Sequence, residues 1–339
     1  MSEICLFSEK ELKSQLRVRL NEWKTGQEIL LPSSKNTKFD DKLQQLRKQG
    51  CQMVILGIPE SIGVKANLGN SGAEYGWNAF LDSFLNTQTF KGASSIAILG
   101  RCDVDDLQSQ AAERNPAHKL ELKKLRNLCR KLDARVEKLL SKIIAAELIP
   151  IVIGGGHNNA FPIIAAHSKF LNSPIDVLNI DPHADFRLLE GRHSGNPFSY
   201  AHETGFLDKY FVYGLDKAYN STEMLNRLES AKGEWIERKE TSNIENSTLQ
   251  TLKYFQNSKN VGLELDMDAI AGVSVSALNP LGFAPLEACQ IVHTFTEKLK
   301  PIYFHLPESA PKPNENSWVI NGKVSSALVR TFIEAYGLG

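Results

Sequence analysis

Neither sign of charge prevails in this chain: its 339 residues carry 39 Lys plus Arg against 39 Asp plus Glu. No bulk basic footprint is offered to nucleic acid or to an anionic membrane, so neither is expected as a partner. No apolar run approaches the roughly 18 residues that a membrane-spanning helix needs. The opening MSEICLFSEKELKSQ has no charged segment leading into an apolar one, so no secretory signal is expected. Cysteine is sparse: Cys5, Cys51, Cys102, Cys129 and Cys289 are odd in number and show no CxxC spacing. That pattern argues against a disulfide framework or a zinc ribbon and for reduced, buried thiols. Internal repeats and low-complexity segments are absent, and the glycine-rich GNSGAEYG (69–76) lacks the Lys-Ser/Thr of a phosphate-binding loop. It reads as a tight turn bordering a site. The expectation is a soluble cytoplasmic protein with a large core.

What the chain does contain is a recurring unit of apolar run, polar turn and helical pattern. The runs are QMVILGI (52–58), SIAILG (95–100), LIPIVIG (148–154), IDVLNI (175–180), KYFVYGL (209–215), VGLELD (261–266) and PIYFHL (301–306). Continuous hydrophobicity over so few residues suits strands buried on both faces, hence a mostly parallel sheet covered by helices. Helices are predicted over 118–146, 285–299 and 323–336. The first carries Leu125, Leu128, Cys129, Leu132, Val136, Leu139, Leu140, Ile143 and Ile144 at three- and four-residue spacing. The alternation predicts one α/β domain over 46–339, with residues 1–45 a helical or irregular lead-in packed on it.

Three of the apolar runs end in clusters of potential metal ligands. LIPIVI leads into GGGH and His157; IDVLNI leads into DPHAD, with Asp181, His183 and Asp185; VGLEL leads into DMD, with Asp266 and Asp268. Side chains two apart in an extended segment point the same way. Ligands in open parallel sheets bind beyond the carboxyl ends of the strands, where these residues fall. Alone, GGGH could be a turn around a satisfied histidine, and DMD a helix cap. Together they offer four carboxylates and two imidazoles to one cleft. With neutral histidines that charge would be balanced by two divalent ions, and the oxygen-rich, thiolate-free set favours Mn²⁺, Mg²⁺ or similar over structural zinc. Such a pair makes water a nucleophile at neutral pH, which is hydrolytic chemistry.

GGGH, DPHAD and LDMD, in this order, resemble the metal motifs of the ureohydrolases: arginase, agmatinase and formimidoylglutamase. The segment IPESIGVKANLGNSGAEYG (58–76) is similar to that family's first strand-end loop, and HLPESAP (305–311) to its late, glutamate-bearing one. The resemblance implies a three-layer α/β/α fold around an eight-stranded, mostly parallel sheet, two Mn²⁺ ions and a homo-oligomer. It implies that His157, Asp181, His183, Asp185, Asp266 and Asp268 are the metal ligands. Glu308 falls on the glutamate that holds the substrate's planar cation. Asp185 would orient the attacking water and pass its proton to the leaving amine, and His193 is a candidate relay.

Several positions depart from arginase. Gly156 stands where an acidic residue is usual, Glu264 where a serine is frequent, and HSGNPF (193–198) resembles the SGTPF of formimidoylglutamases. Arg187 follows Asp185 as in the DLR of those enzymes, and a guanidinium there would repel arginine or agmatine while clamping a carboxylate. Asn196 and Arg192 could also reach a substrate tail. The lead expectation is cleavage of a C–N bond in a small linear amidine, N-formimidoyl-L-glutamate, to L-glutamate and formamide. The alternatives are arginase, agmatinase or guanidino-acid hydrolase activity, a dinuclear phosphoesterase, and a non-catalytic binding protein of the same fold.

Overall fold

The computed structural model describes residues 3–34 and 37–338. The ends of the two expected units, residues 1–2 and 339, and positions 35–36 lie outside the described residues. Among the described residues nine strands form one sheet: β1 Ile4–Leu6, β2 Met53–Gly57, β3 Ile96–Cys102, β4 Ile149–Ile153, β5 Ile175–Ile180, β6 Leu207–Leu215, β7 Glu234–Glu237, β8 Val261–Leu265 and β9 Tyr303–Leu306. Their order across the sheet is β1-β3-β2-β4-β9-β8-β5-β6-β7. Strands β2 to β9 pair in parallel, as the α/β reading expects. The ninth strand comes from the lead-in: β1 lies antiparallel on β3, with Cys5 opposite Arg101. The lead-in is therefore part of the sheet rather than only helical or irregular.

Both faces of the sheet are dry. Along β2, Val54 and Leu56 enter one core with Leu128, Leu132 and Val136 of the helix Lys119–Ala145. Met53 and Ile55 enter the other with Phe304 of β9 and Phe332 of the helix Asn316–Tyr336. Successive side chains of one strand point to opposite faces, so two cores on alternating residues require a helical layer on each side. All nine residues of the periodic pattern in Lys119–Ala145 are buried. The helix predicted at 285–299 spans Pro285–Leu299, and the one predicted at 323–336 begins earlier, at Asn316. Phe304 and Phe332 stack at 4.7 Å between centroids, fastening the last helix to the sheet. Among the described residues no helix is long and apolar enough to cross a membrane.

Candidate metal centre

The four strands whose ends carry the polar motifs are neighbours: β4, β9, β8 and β5, in that order. The chain passes from β4 to β5 before β8 and β9 fill the gap, so the crevice lies where the direction of winding reverses, the usual ligand position in such sheets. At the end of β4 the turn runs through Gly154 and Gly155, with φ of +81° and +71°. A Cβ on Gly155 would stand 2.3 Å from Asn159 Nδ2 and 2.8 Å from Glu60 Oε1, so only glycine fits.

Glu60 was not singled out by sequence reasoning, yet it organises this turn. Fully buried, it accepts hydrogen bonds from the backbone N–H groups of Ile62 (2.5 Å) and Gly156 (2.8 Å) and from Asn159 Nδ2 (2.6 Å). Burial raises its carboxyl despite these donors. The signal available resembles that of DPHAD: a carboxylate three residues beyond the end of a wholly buried apolar strand.

The six expected ligands come together in two groups that share Asp181. His157, Asp181, Asp185 and Asp266 form one; Asp181, His183 and Asp268 form the other. His157 Nδ1 lies 3.2 Å from Asp181 Oδ2, 3.1 Å from Asp185 Oδ2 and 3.0 Å from Asp266 Oδ2. His183 Nδ1 is 3.1 Å from Asp268 Oδ2 and 3.4 Å from Asp181 Oδ1. Asp181 is held by Asn179 Nδ2 (3.0 Å) and by the His183 N–H (2.7 Å), and Asp266 by the Asp268 N–H (2.9 Å). Asp185 and Glu308 have φ of +44° and +64°, a left-handed backbone that is strained for residues with side chains. Asn220 helps to hold that shape beneath DPHAD: its Oδ1 accepts from the Ala184 N–H and its Nδ2 donates to the Pro182 carbonyl, both at 2.8 Å.

The electrostatics of this cluster call for cations. Burial raises Asp266 well above the usual carboxylate range, with Asp268 and Asp181 adding to it. Burial also raises Asp185, and lifts Asp268 to about 6 although His183 opposes the shift. Asp181 is brought down to about 2, because its hydrogen bonds and charge contacts with His157 and His183 outweigh its burial. For both histidines burial is overcome by the surrounding carboxylates, and each imidazole is held well above its ordinary value. Among the described residues His157 Nδ1, despite three carboxylate oxygens around it, makes no hydrogen bond, and neither does Asp268 Oδ1. Convergent acceptors around an unsatisfied nitrogen suit a divalent ion bound between them.

Above the cluster opens a cavity of about 310 Å³, whose lining includes His183, Asp185, Asp266, Asp268, Arg187 and Glu308. Gly69 and Asn70 of the glycine-rich loop border it, as the turn reading expected. The Glu308 carboxyl accepts the His157 N–H through Oε1 at 2.9 Å, and burial, with Asp266 beside it, raises it well above its usual range. Arg187 is exposed, and among the described residues it has no ion-pair partner. Its stem crosses Gly195, where a Cβ would stand 2.8 Å from Arg187 Cδ.

Three expected contacts need correction. His193 is fully buried and outside the cavity lining: Nδ1 accepts the Gly195 N–H at 3.1 Å, and Nε2 faces Glu190 at 3.3 Å. Burial, with Arg126, Arg192 and Arg187 nearby, takes this imidazole down to about 3, and the ring is packed inside the loop rather than on the cavity wall. Asn196 is also fully buried, its Oδ1 accepting from Arg192 (2.7 Å) and its Nδ2 donating to the Gly191 carbonyl (2.9 Å). Arg192 is committed to Asp133 (2.9 Å) and lies over the rings of Phe161 and Tyr200 at 4.7 and 4.9 Å. These three side chains are internal braces of the loop 188–196, whose Ser194 lines the cavity.

Known proteins are similar to this chain in sequence and in fold. A formimidoylglutamase of Streptococcus pyogenes is 26% identical over 216 residues, covering 60% of this chain and 64% of that protein, so the match spans less than two thirds of the relative. Arginase 2 of Arabidopsis thaliana is 29% identical over 174 residues, 48% of this chain and 49% of that one. The crystal structure of Trypanosoma cruzi formiminoglutamase with Mn²⁺ superposes with a TM-score of 0.68 at 18% identity, covering 92% of this chain and 99% of that one. The model of the arginase family matches residues 51–335. With the fold, the strand-end motifs and the family match in agreement, the chain belongs to the arginase family.

Proposed function

We propose that this protein is a metal-dependent hydrolase of small linear amidines, with N-formimidoyl-L-glutamate as substrate and L-glutamate and formamide as products. The observation that carries the reading is that a guanidinium, Arg187, and a carboxyl, Glu308, both line the cavity that opens over the carboxylate cluster. A substrate with an amidinium at one end and carboxylates at the other matches that polarity. Arginine and agmatine would bring a second cation toward Arg187.

His157, Asp181, Asp185 and Asp266 would hold one divalent ion, and Asp181, His183 and Asp268 the other, with Mn²⁺ the first candidate. When bound, such a pair polarises the reacting carbon and lowers the pKa of water toward neutrality. Glu308, with Oε1 engaged by the His157 N–H, keeps Oε2 for the substrate's amidinium N–H and fixes its plane. Asp185, on the cavity wall, orients the attacking water, takes its proton and delivers it to the leaving amine. Arg187 binds the substrate carboxylate bidentately. The family resemblance also supports a homo-oligomer, which light scattering reads directly; the scattered, unpaired cysteines support a cytoplasmic location.

The test is the Mn²⁺-loaded protein assayed in parallel for formamide, urea and ammonia on a panel of acidic, neutral and cationic amidines and guanidines. Formamide from the acidic amidine, with KM raised about tenfold or more in Arg187→Leu, is the expected result. Urea from arginine or agmatine as the main product would overturn the substrate assignment. Urea from a guanidino acid would keep the role of Arg187 and change the reacting group.

A further inference from the structure

His157 presents its two ring nitrogens to two separate sets of acids. Nδ1 faces Asp181, Asp185 and Asp266, whereas Nε2 lies 3.6 Å from Glu264 Oε2. Glu264 sits in β8, a strand otherwise made of Val261, Gly262, Leu263 and Leu265, and it is fully buried. A carboxylate at such a position costs several kcal/mol unless donors compensate it. Two donors are supplied from β9, the next strand: Tyr303 OH donates to Glu264 Oε1 at 2.8 Å, and His305 Nδ1 meets Oε2 at 2.5 Å. His157 Nε2 faces the same oxygen from just beyond hydrogen-bond distance and, among the described residues, makes no hydrogen bond. Its ring is also fixed from the side by Phe198, edge-on at 5.2 Å between centroids.

An ionised carboxylate accepts hydrogen bonds and cannot donate them. Beside Glu264, the tautomer of His157 with its proton on Nε2 is favoured, which leaves the Nδ1 lone pair directed at the three carboxylates. The opposite tautomer would set a lone pair against the Glu264 charge and a proton in the place of an ion. We infer that Glu264, held by Tyr303 and His305, is a positioning residue that fixes the tautomer and orientation of His157 for metal binding. The inference rests on the reading that His157 holds one of two ions. Carboxylate partners behind metal-bound imidazoles generally act in this way, and their removal weakens metal binding about 10- to 100-fold.

The experiment is a calorimetric Mn²⁺ titration of the full-length, metal-stripped protein as wild type, Glu264→Gln and Tyr303→Phe, with the thermal midpoint of each stripped protein recorded alongside. Glu264→Gln should weaken one ion about 10- to 100-fold, the one that His157 would hold, and leave the ion at His183 and Asp268 much less affected. Tyr303→Phe, which keeps the charge and removes one restraint, should shift the same ion in the same direction by less, so a Glu264→Gln variant that fails to fold does not remove the test. A role confined to stability would lower the thermal midpoint and leave both affinities unchanged, which would overturn the inference alone. A third ion on the wild type that disappears with Glu264→Gln would also overturn it, making Glu264 a ligand. Absence of any Mn²⁺ on the wild type would overturn the underlying reading of the centre, and the inference with it.

Discussion

His157 Nδ1 and Asp181 Oδ2 meet at 3.2 Å although two strands, β9 and β8, separate the strands that carry them. Three inter-strand steps of about 4.8 Å would hold their strands roughly 14 Å apart. The glycine turn after β4 and the DPHAD segment after β5 bend toward each other across the crevice, and DMD from β8 closes the space between them. Like-charged groups converge there from separate segments, so the cluster is stable when positive charge is shared among them.

Asp181 belongs to both ligand groups, so its loss has a different signature from the loss of any other member. Asp181→Ala should abolish binding of both ions and reduce turnover to background, whereas His183→Ala should weaken mainly one ion. Metal analysis after gel filtration in Mn²⁺ separates these outcomes.

Metal binding should release protons. Asp268, lifted to about 6, and Asp266, raised further, must give up protons to act as ligands, and the elevated histidines must do the same. The Mn²⁺ affinity should therefore climb steeply as pH rises through about 6 and beyond. Calorimetry in two buffers of different ionisation enthalpy reads the proton count; an affinity independent of pH from 5 to 8 would contradict it.

His167 provides a stability signal remote from the cavity. Its imidazole donates from Nδ1 to the Ile163 carbonyl (2.9 Å), packs on Tyr303 at 5.0 Å, and is taken down by burial to about 4. The unfolded chain then binds the extra proton between about pH 4 and the ordinary value near 6.5. This contribution is fully present above about pH 6.5 and is lost as pH falls toward 4, by up to about 3 kcal/mol. Urea midpoints of wild type minus His167→Gln at pH 7.5 and pH 5 should differ in that direction.

Gly195 keeps Arg187 over the cavity. A methyl group there would meet Arg187 Cδ at 2.8 Å and Asn67 Nδ2 at 2.9 Å, so the guanidinium must move. Gly195→Ala should raise KM for the acidic amidine about tenfold and leave the KM for a neutral amidine nearly unchanged. Equal changes in both would remove Arg187 from substrate recognition.

The loop 188–196 depends on a buried ion pair. Asp133→Ala would leave Arg192, 4% exposed, with an uncompensated charge among Phe161 and Tyr200. Destabilisation of about 3–5 kcal/mol is expected from urea unfolding.

The convergence of the six proposed ligands was legible in the sequence because each motif is local: a polar cluster directly after an apolar run fixes both its chemistry and its place at a strand end. The helix 119–145 was legible for a similar reason, its period being carried by nine residues of one face. Edge strands were not. β7 is EWIE, with an acidic residue at each end and only Ile236 buried, and β1 is three residues long with only Ile4 buried, so neither matches the longer, wholly buried run of a central strand. The burial of His193 and Asn196 was not legible, because Asn196 packs on Arg192, which is held in turn by Asp133, 59 positions away in the chain. Arg187 and Arg192 look alike in sequence; packing makes one a cavity group and the other a brace. Glu60 and Glu264 carried a detectable signal, a carboxylate within or shortly after an apolar strand, but their partners arrive from other segments.

The most direct test of the central claim is the number of Mn²⁺ ions bound per chain by the metal-stripped protein, measured together with formamide release at each step of the titration. Two ions per chain, with turnover appearing as the second site fills, is the predicted result. Turnover in the stripped protein under chelator, or a chain that binds no Mn²⁺ at saturating concentration and neutral pH, would contradict it.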